Sequence, residues 1–214
     1  MGPHLYPTEF LVRTMLGKYP HLTMSRDYEG RNLLDLGFGD GRNLLLFRNL
    51  GANIYGVEPE AETCALVTER VKALAGIECT LVAGSNSSIP FDDAFFDFVV
   101  ASHSIYYVRE GETFADNARE AARVLRPGGW LIASMPDSGN SVLANAERLA
   151  DGHWRITEDP FGLRNGAIFR AVDTPQEAEA AFRPWFEAFS IGSFRDDWYG
   201  LRVTGLTVVC RKAD

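Results

Sequence analysis

The sequence predicts an α/β fold: a doubly wound, mostly parallel seven-stranded sheet with helices on both faces and a C-terminal antiparallel hairpin. Three observations carry this. Apolar, strand-like runs alternate with helix-like segments along most of the chain, the pattern of a parallel sheet covered on both sides. The run from Phe95 to Ala101 is nearly all apolar, as a central parallel strand buried on both faces must be. A glycine-rich turn, Gly37-Phe38-Gly39-Asp40-Gly41, joins the first strand to an apolar helical segment. Glycine lets such a turn tighten and lets its backbone approach a ligand.

The elements follow in order. Residues 8–16 read as a first helix with Phe10, Leu11, Met15 and Leu16 apolar. Strand one is 32–36, and the helix after its turn covers about 42–50 and stops at Gly51, a C-terminal glycine. Strand two ends at Glu58. Pro59 then suits an early helical position, and a helix from 61 to 74 ends near Gly76. Strand three is 78–83 and strand four 95–101. A helix over 112–125 is closed by Arg126-Pro127-Gly128-Gly129, and strand five is 130–135. Residues 136–170 are irregular. Thr174-Pro175-Gln176-Glu177 has capping-box spacing with proline at the first helical position, which places a helix up to about Phe182. Strands at 186–194 and 201–211, joined through Trp198-Tyr199-Gly200, form the hairpin.

The glycine turn after strand one and the acid after strand two form a device for holding a nucleoside, with backbone for the charged part and a carboxylate for the ribose hydroxyls. With 214 residues and 46% hydrophobic content the chain can bury one sizeable core, so a single domain over 1–214 is expected. A net charge of -8 weighs against a nucleic-acid partner, which normally needs a basic face. Cys64, Cys79 and Cys210 lie far apart, and His4, His21, His103 and His153 lack metal-ligand spacing. Neither a metal site nor a disulfide framework is expected, and three unpaired thiols suit a reducing cytoplasm. No apolar run reaches the roughly 18 residues of a membrane span. The start, Met1-Gly2-Pro3-His4, lacks the basic and apolar regions of a signal peptide.

Four segments, in order, resemble the motifs of class I S-adenosylmethionine-dependent methyltransferases of the small-molecule type (methyltransferase domain 11-like). Asp35, Gly37, Gly39 and Gly41 resemble the D-x-G-x-G-x-G run, and Gly56-Val57-Glu58-Pro59 the acidic end of strand two. Gly84 to Phe91, leading into Phe95-Phe96-Asp97-Phe98-Val99-Val100, resembles the G-D-A-x-x-L-P-F and F-D-x-V segment. Residues from Ala121 to Gly129 resemble the R-V-L-K-P-G-G turn. The resemblance spans about Tyr6 to Met135 and implies a Rossmann-like sheet, S-adenosyl-L-methionine as cofactor, S-adenosyl-L-homocysteine as product, and direct displacement of the methyl group by an acceptor atom.

It also implies roles. Gly37, Phe38 and Gly39 present backbone to the methionine end, and Asp35 orients that loop and the bound amino group. Glu58 accepts from both ribose hydroxyls, as a charged acceptor suits. Pro59 packs on the adenosine or merely starts a helix. Ser85 departs from the acid common at that place, so Asn86, Ser87 or backbone would take the adenine amino group; an ordinary polar loop is the competing reading. Ser102 and His103 follow strand four at the cofactor's sulfonium region, and His103 is either a general base or a hydrogen-bonded structural residue. Tyr106 and Tyr107 are expected to pack, and the histidine of many relatives near Tyr107 is missing. Tyr6 and Phe10, within an N-terminal helical lid over about 1–30, fold over the cofactor or belong to the core of the first helix. His153, Trp154, Asp159 and Arg164, in an insert over about 136–185, either line the acceptor pocket or form a surface excursion.

Two other readings compete. A nicotinamide-dependent oxidoreductase would need glycine where Arg42 stands. A non-catalytic protein that binds S-adenosylmethionine would keep the same glycines and Glu58. Ser102-His103-Ser104-Ile105 replaces the motif of nucleic-acid amino-methyltransferases, so a small-molecule acceptor is expected, with no membrane and no nucleic acid, as a monomer or a homodimer.

Overall fold

The computed structural model describes residues 5–213; the Met1-Gly2-Pro3-His4 start and Asp214 lie outside the described residues. In chain order the elements are α1 (Glu9–Leu16), β1 (Asn32–Leu36), α2 (Leu44–Asn49), β2 (Asn53–Glu58), α3 (Ala61–Ala75), β3 (Cys79–Ala83), β4 (Phe96–Ala101), β5 (Tyr107–Val108) and α4 (Phe114–Val124). There follow β6 (Leu125–Pro136), a 3₁₀ turn at Ser141–Leu143, β7 (Glu147–Arg148), β8 (Trp154–Arg155), β9 (Ile168–Phe169), α5 (Pro175–Phe182), β10 (Phe186–Trp198) and β11 (Leu201–Lys212).

Seven strands form one sheet in the order β10-β11-β6-β4-β1-β2-β3. β1 pairs in parallel with β2 and β4, β2 with β3, and β4 with β6. β11 runs antiparallel to both β6 and β10. The chain winds outward from β1 through β2 to β3, then returns to the other side of β1 with β4. Such a reversal leaves a crevice beyond the C-terminal ends of the two central strands.

Strand residues alternate between two cores because successive side chains point to opposite faces. Leu33, Ile54, Phe98 and Val100 meet Leu11 and Met15 of α1, Phe47 of α2 and Val67 and Val71 of α3. Leu34, Leu36, Val99 and Ala133 meet Ala118 and Ala121 of α4 and Phe182 of α5. The sheet is therefore covered on both sides, as the apolar run of β4 requires. At α5, Thr174 Oγ1 accepts from the Glu177 N–H at 3.1 Å, the capping bond its spacing implies.

Three features differ from the sequence reading. α2 begins at Leu44 rather than at 42, because Arg42 and Asn43 still belong to the turn, where the Leu44 N–H reaches the Gly41 carbonyl. The irregular stretch supplies β7, β8 and β9 of a second, small sheet in the order β5-β9-β8-β7, built from two-residue strands too short to show a period. The hairpin is longer than expected and runs to Trp198 and back from Leu201. Its two turn residues, Tyr199 (φ 56) and Gly200 (φ 95), are both left-handed, the turn that matches strand twist in a two-residue hairpin. No helix of the described residues is long and apolar enough to cross a membrane.

Candidate active site

The C-terminal ends of β1, β2 and β4, the insert after β6 and the far end of the β10–β11 hairpin enclose a cavity of about 990 Å³. That is the top of the roughly 300–1,000 Å³ range of small-molecule sites.

The glycine turn forms its floor. The Gly37 N–H donates to the Val57 carbonyl at 2.8 Å, which ties the turn to β2. Gly37 has φ +73°, and a Cβ there would stand 2.4 Å from the Ser104 Cβ, so no other residue fits. Gly39 is also left-handed, at φ +54°, but a Cβ on it would meet open space. The Gly39 N–H donates to Glu58 Oε2 at 2.9 Å. Burial raises the Glu58 carboxyl above its ordinary range, while that N–H holds it down and Glu60 adds to the rise.

Asp35 lies beneath the turn, fully buried, and both its oxygens lack a hydrogen-bond partner. The Asn43 carboxamide lies against it and offsets part of the cost without reaching hydrogen-bond geometry. Burial pushes the Asp35 carboxyl up to about 8, and Glu58 and Asp40 push it the same way. Asn43 itself lines the cavity, and its Oδ1 accepts from the Thr8 N–H at 3.1 Å and the Thr8 hydroxyl at 3.3 Å. The Thr8 hydroxyl also lies 3.2 Å from Ser102 Oγ. The residue that opens α1 is thus fastened to the glycine turn and to the end of β4, above the crevice.

His103 follows β4 with φ +57° and donates its backbone N–H to Ser134 Oγ at 2.9 Å. Its ring stands edge-on between Phe10 (5.7 Å) and Phe194 (5.8 Å). Burial first, then Arg42 and Arg164, lower its pKa to about 4. The imidazole is neutral at neutral pH. At the opposite end Ser85 Oγ lies 3.3 Å from Ser87 Oγ, and Asn86 Nδ2 donates to the Ser104 and Tyr107 carbonyls at 2.8 and 3.0 Å. Asn86 therefore braces the loop after β4, and Ser87 donates to Glu112 Oε2 at 2.5 Å.

The insert supplies a polar wall. Arg164 Nη1 donates to both oxygens of the buried Asp159 at 3.1 and 3.2 Å, and Arg164 Nε donates to the Tyr107 hydroxyl at 3.2 Å. The Tyr107 ring stacks on Tyr106 at 5.1 Å. The hairpin adds Phe194, Trp198, Arg202 and Val203 to the same cavity.

The methyltransferase-domain family matches residues 34–133, which begin at the glycine turn's strand and end within β6. Residues 34–133 therefore carry a methyltransferase domain. It is 32% identical over 160 residues to a sterol 4-C-methyltransferase of Caenorhabditis elegans, covering 73% of this chain and 44% of that protein. A SAM-dependent methyltransferase from Methanosarcina mazei has the same fold, with a TM-score of 0.71 and 20% identity over 92% of this chain and 98% of that one. So does the 1,6-didemethyltoxoflavin-N1-methyltransferase of Burkholderia thailandensis, solved with 1,6-didemethyltoxoflavin and S-adenosylhomocysteine bound (TM-score 0.61, 20% identity, 87% of this chain and 72% of that one). The chain spans less than half the length of the curated relatives it matches.

The lining of this methyltransferase fits S-adenosyl-L-methionine. The Glu58 carboxylate stands on the cavity wall beside the turn, where a ligand carrying an ammonium and a sulfonium is favoured, and the protonated Asp35 lies beneath the turn. Asp35 has no protein partner for either oxygen, and the open space at Gly39 leaves backbone accessible. Of the residues singled out in the sequence, Gly37, Phe38, Gly39, Glu58, Pro59, Ser85, Asn86, Ser102 and His103 all line the cavity. Asp35 sits behind it, through Asn43. Asp159 and Arg164 reach it, whereas His153 is buried elsewhere and Trp154 lies under Arg148 at 5.2 Å. Phe10 reaches the site through His103, while Tyr6 is 74% exposed. Thr8, Asn43, Arg42 and the hairpin residues were not foreseen, since nothing in their local sequence shows that a long hairpin and a helix start converge on one crevice.

Proposed function

We propose that this domain binds S-adenosyl-L-methionine along Gly37–Gly39 and Glu58 and transfers its methyl group to a small-molecule acceptor held in the same cavity. The bond between Gly39 and Glu58 carries the reading, because it sets the loop backbone and the strand-two carboxylate side by side on the cavity wall. When bound, the cofactor supplies a methyl carbon activated by a sulfonium: the acceptor's lone pair forms the new bond as the carbon–sulfur pair leaves to sulfur, giving S-adenosyl-L-homocysteine.

The chain's own residues do the rest. Glu58 holds the ribose hydroxyls, and Asp35 orients the turn and the bound amino group. The Gly37 and Gly39 backbone faces the methionine end. Ser85 and Pro59 flank the adenosine, and the loop braced by Asn86 keeps that end in shape. Thr8 and Phe10 close the N-terminal segment over the site and exclude water. Neutral His103, walled by two phenylalanines, positions the acceptor and takes a proton only weakly. The insert over about 136–185 and the hairpin form the acceptor half. The acceptors in the names of two similar proteins, a sterol and 1,6-didemethyltoxoflavin, support a small-molecule substrate. The three free thiols support the reducing cytoplasm.

The test is calorimetric titration with S-adenosyl-L-homocysteine, then methyl transfer from labelled S-adenosyl-L-methionine across an acceptor panel. One site per chain and turnover on an acceptor are expected. Tight binding without turnover on any acceptor would leave a binding protein.

A further inference from the structure

We propose that the acceptor half of the cavity takes a small molecule bearing an anionic oxygen, a carboxylate or phenolate, on an apolar body of ring size, and that Arg164 holds the anion. Calling that molecule an acceptor rests on the methyltransferase reading; the anion site itself does not.

The protein has a net charge of -8, yet its cavity carries four arginines (Arg42, Arg109, Arg164, Arg202) against three carboxylates (Asp40, Glu58, Asp159). Each of those carboxylates already has a partner. Asp40 pairs with Arg42 at 3.0 Å, Glu58 accepts from Gly39, and Asp159 accepts from Arg164 and from the Leu163 N–H at 2.8 Å. Only Glu58 keeps an oxygen free, and that oxygen is assigned to the ribose hydroxyls. A protonated amine would instead face Arg109 and Arg202, which form no ion pair among the described residues.

Arg164 is held in place. Its hydrogen bonds use Nε and Nη1, on Tyr107 and Asp159, and Nη2 makes none among the described residues. A guanidinium braced this way loses little freedom when it binds an anion and offers its remaining donors in fixed directions. Burial is the main cause of the depressed His103 titration, and Arg42 and Arg164 add to it in the same direction.

Phe161, Phe194, Trp198 and Val203 add apolar surface to the cavity lining. Phe161 and Trp198 are 64% and 57% exposed, so much of each ring's surface stands open to solvent. An aromatic or aliphatic body packed on them would remove that surface from water. The choice of an anion also suits the site's lack of a strong base. His103 titrates near 4 and burial raises the Tyr107 hydroxyl, whereas an acceptor that arrives ionised has no proton to lose.

The experiment titrates three probes of one shape, 2-naphthoate, 2-naphthamide and 2-naphthylmethylammonium, at pH 7.5 into protein saturated with S-adenosyl-L-homocysteine and into free protein. Naphthoate is expected to bind at least about tenfold more tightly than the amide, and the ammonium not at all. Arg164→Gln should reduce naphthoate to the amide's affinity. The double variant Asp159→Asn, Arg164→Gln removes the pair without stranding a buried carboxylate, and gives the same answer if the single variant loosens the insert. Naphthoate binding that depends on Arg164 in a protein that ignores S-adenosyl-L-homocysteine would keep the anion site and remove the methyltransferase reading. Equal or tighter binding of the ammonium, no binding of naphthoate, or naphthoate binding unchanged in both variants would overturn the proposal.

Discussion

The Gly39 N–H donates to Glu58 Oε2 at 2.9 Å, while Glu58 Oε1 makes no hydrogen bond among the described residues. One oxygen fixes the turn after β1 to the end of β2, and the other is the acceptor proposed for the ribose hydroxyls. The same carboxylate thus shapes the loop and offers itself to a ligand.

Glu58→Ala removes both functions. A hydrogen bond to a charged acceptor contributes roughly 1.5 to 3 kcal/mol, so affinity for S-adenosyl-L-homocysteine should fall at least about tenfold by calorimetry. In the unmutated protein the raised Glu58 titration has a signed consequence. As pH falls, Glu58 takes a proton earlier than an ordinary glutamate, and affinity should begin to drop above pH 4.5. Unchanged affinity in the variant would remove Glu58 from the site.

Gly37→Ala and Gly39→Ala separate folding from binding. Both residues are left-handed, which costs a side chain about 1 to 3 kcal/mol. At Gly37 the added methyl also stands 2.4 Å from the Ser104 Cβ, whereas at Gly39 it meets nothing. Urea denaturation should therefore show Gly37→Ala to be the less stable. Gly39→Ala should lose more ligand affinity than its smaller loss of stability suggests.

Asp35→Asn tests the buried carboxyl through stability. Its titration stands near 8 in the folded protein against 3.8 when solvated. The folded protein therefore holds the proton that the unfolded chain releases, and between about pH 4 and pH 8 this group makes stability fall as pH rises. The asparagine variant lacks that slope. Its melting temperature should exceed that of the unmutated protein at pH 8, by a margin that shrinks toward pH 4. Its affinity for S-adenosyl-L-methionine should be lower.

His103 titrates in the opposite sense. Its pKa is lowered from 6.5 to about 4, so as pH falls through 6.5 the unfolded chain takes the proton first. Its contribution to stability is whole above 6.5 and is lost as pH falls toward 4. Nitrogen-15 spectra of the histidines should show one imidazole neutral down to about pH 5 that disappears in His103→Phe. A His103 resonance titrating near 6.5 would refute the buried, ring-walled setting.

Much of the cofactor half was legible in sequence, because its parts are local. A strand, a glycine turn and an acid on the next strand are each short patterns with a backbone reason, and Gly37, Gly39 and Glu58 stand where those patterns put them. The order of elements gave the sheet, since β4 could not be half exposed. The acceptor half was illegible for a physical reason. Asp159 and Arg164 of the insert stand where they were expected, but the other walls come from Thr8, Arg42 and the hairpin's Phe194 and Trp198, brought together only by folding. His153 and Trp154 were chosen for their chemistry and lie away from the cavity, while Arg42 stood inside a motif that had been read for its glycines.

The most direct test of the central claim is a crystal structure of the protein with S-adenosyl-L-homocysteine. The account predicts the ligand in the crevice above Gly37–Gly39, with its ribose hydroxyls on Glu58. Crystals in which the ligand lies elsewhere, or in which side chains block that groove at saturating ligand, would contradict it.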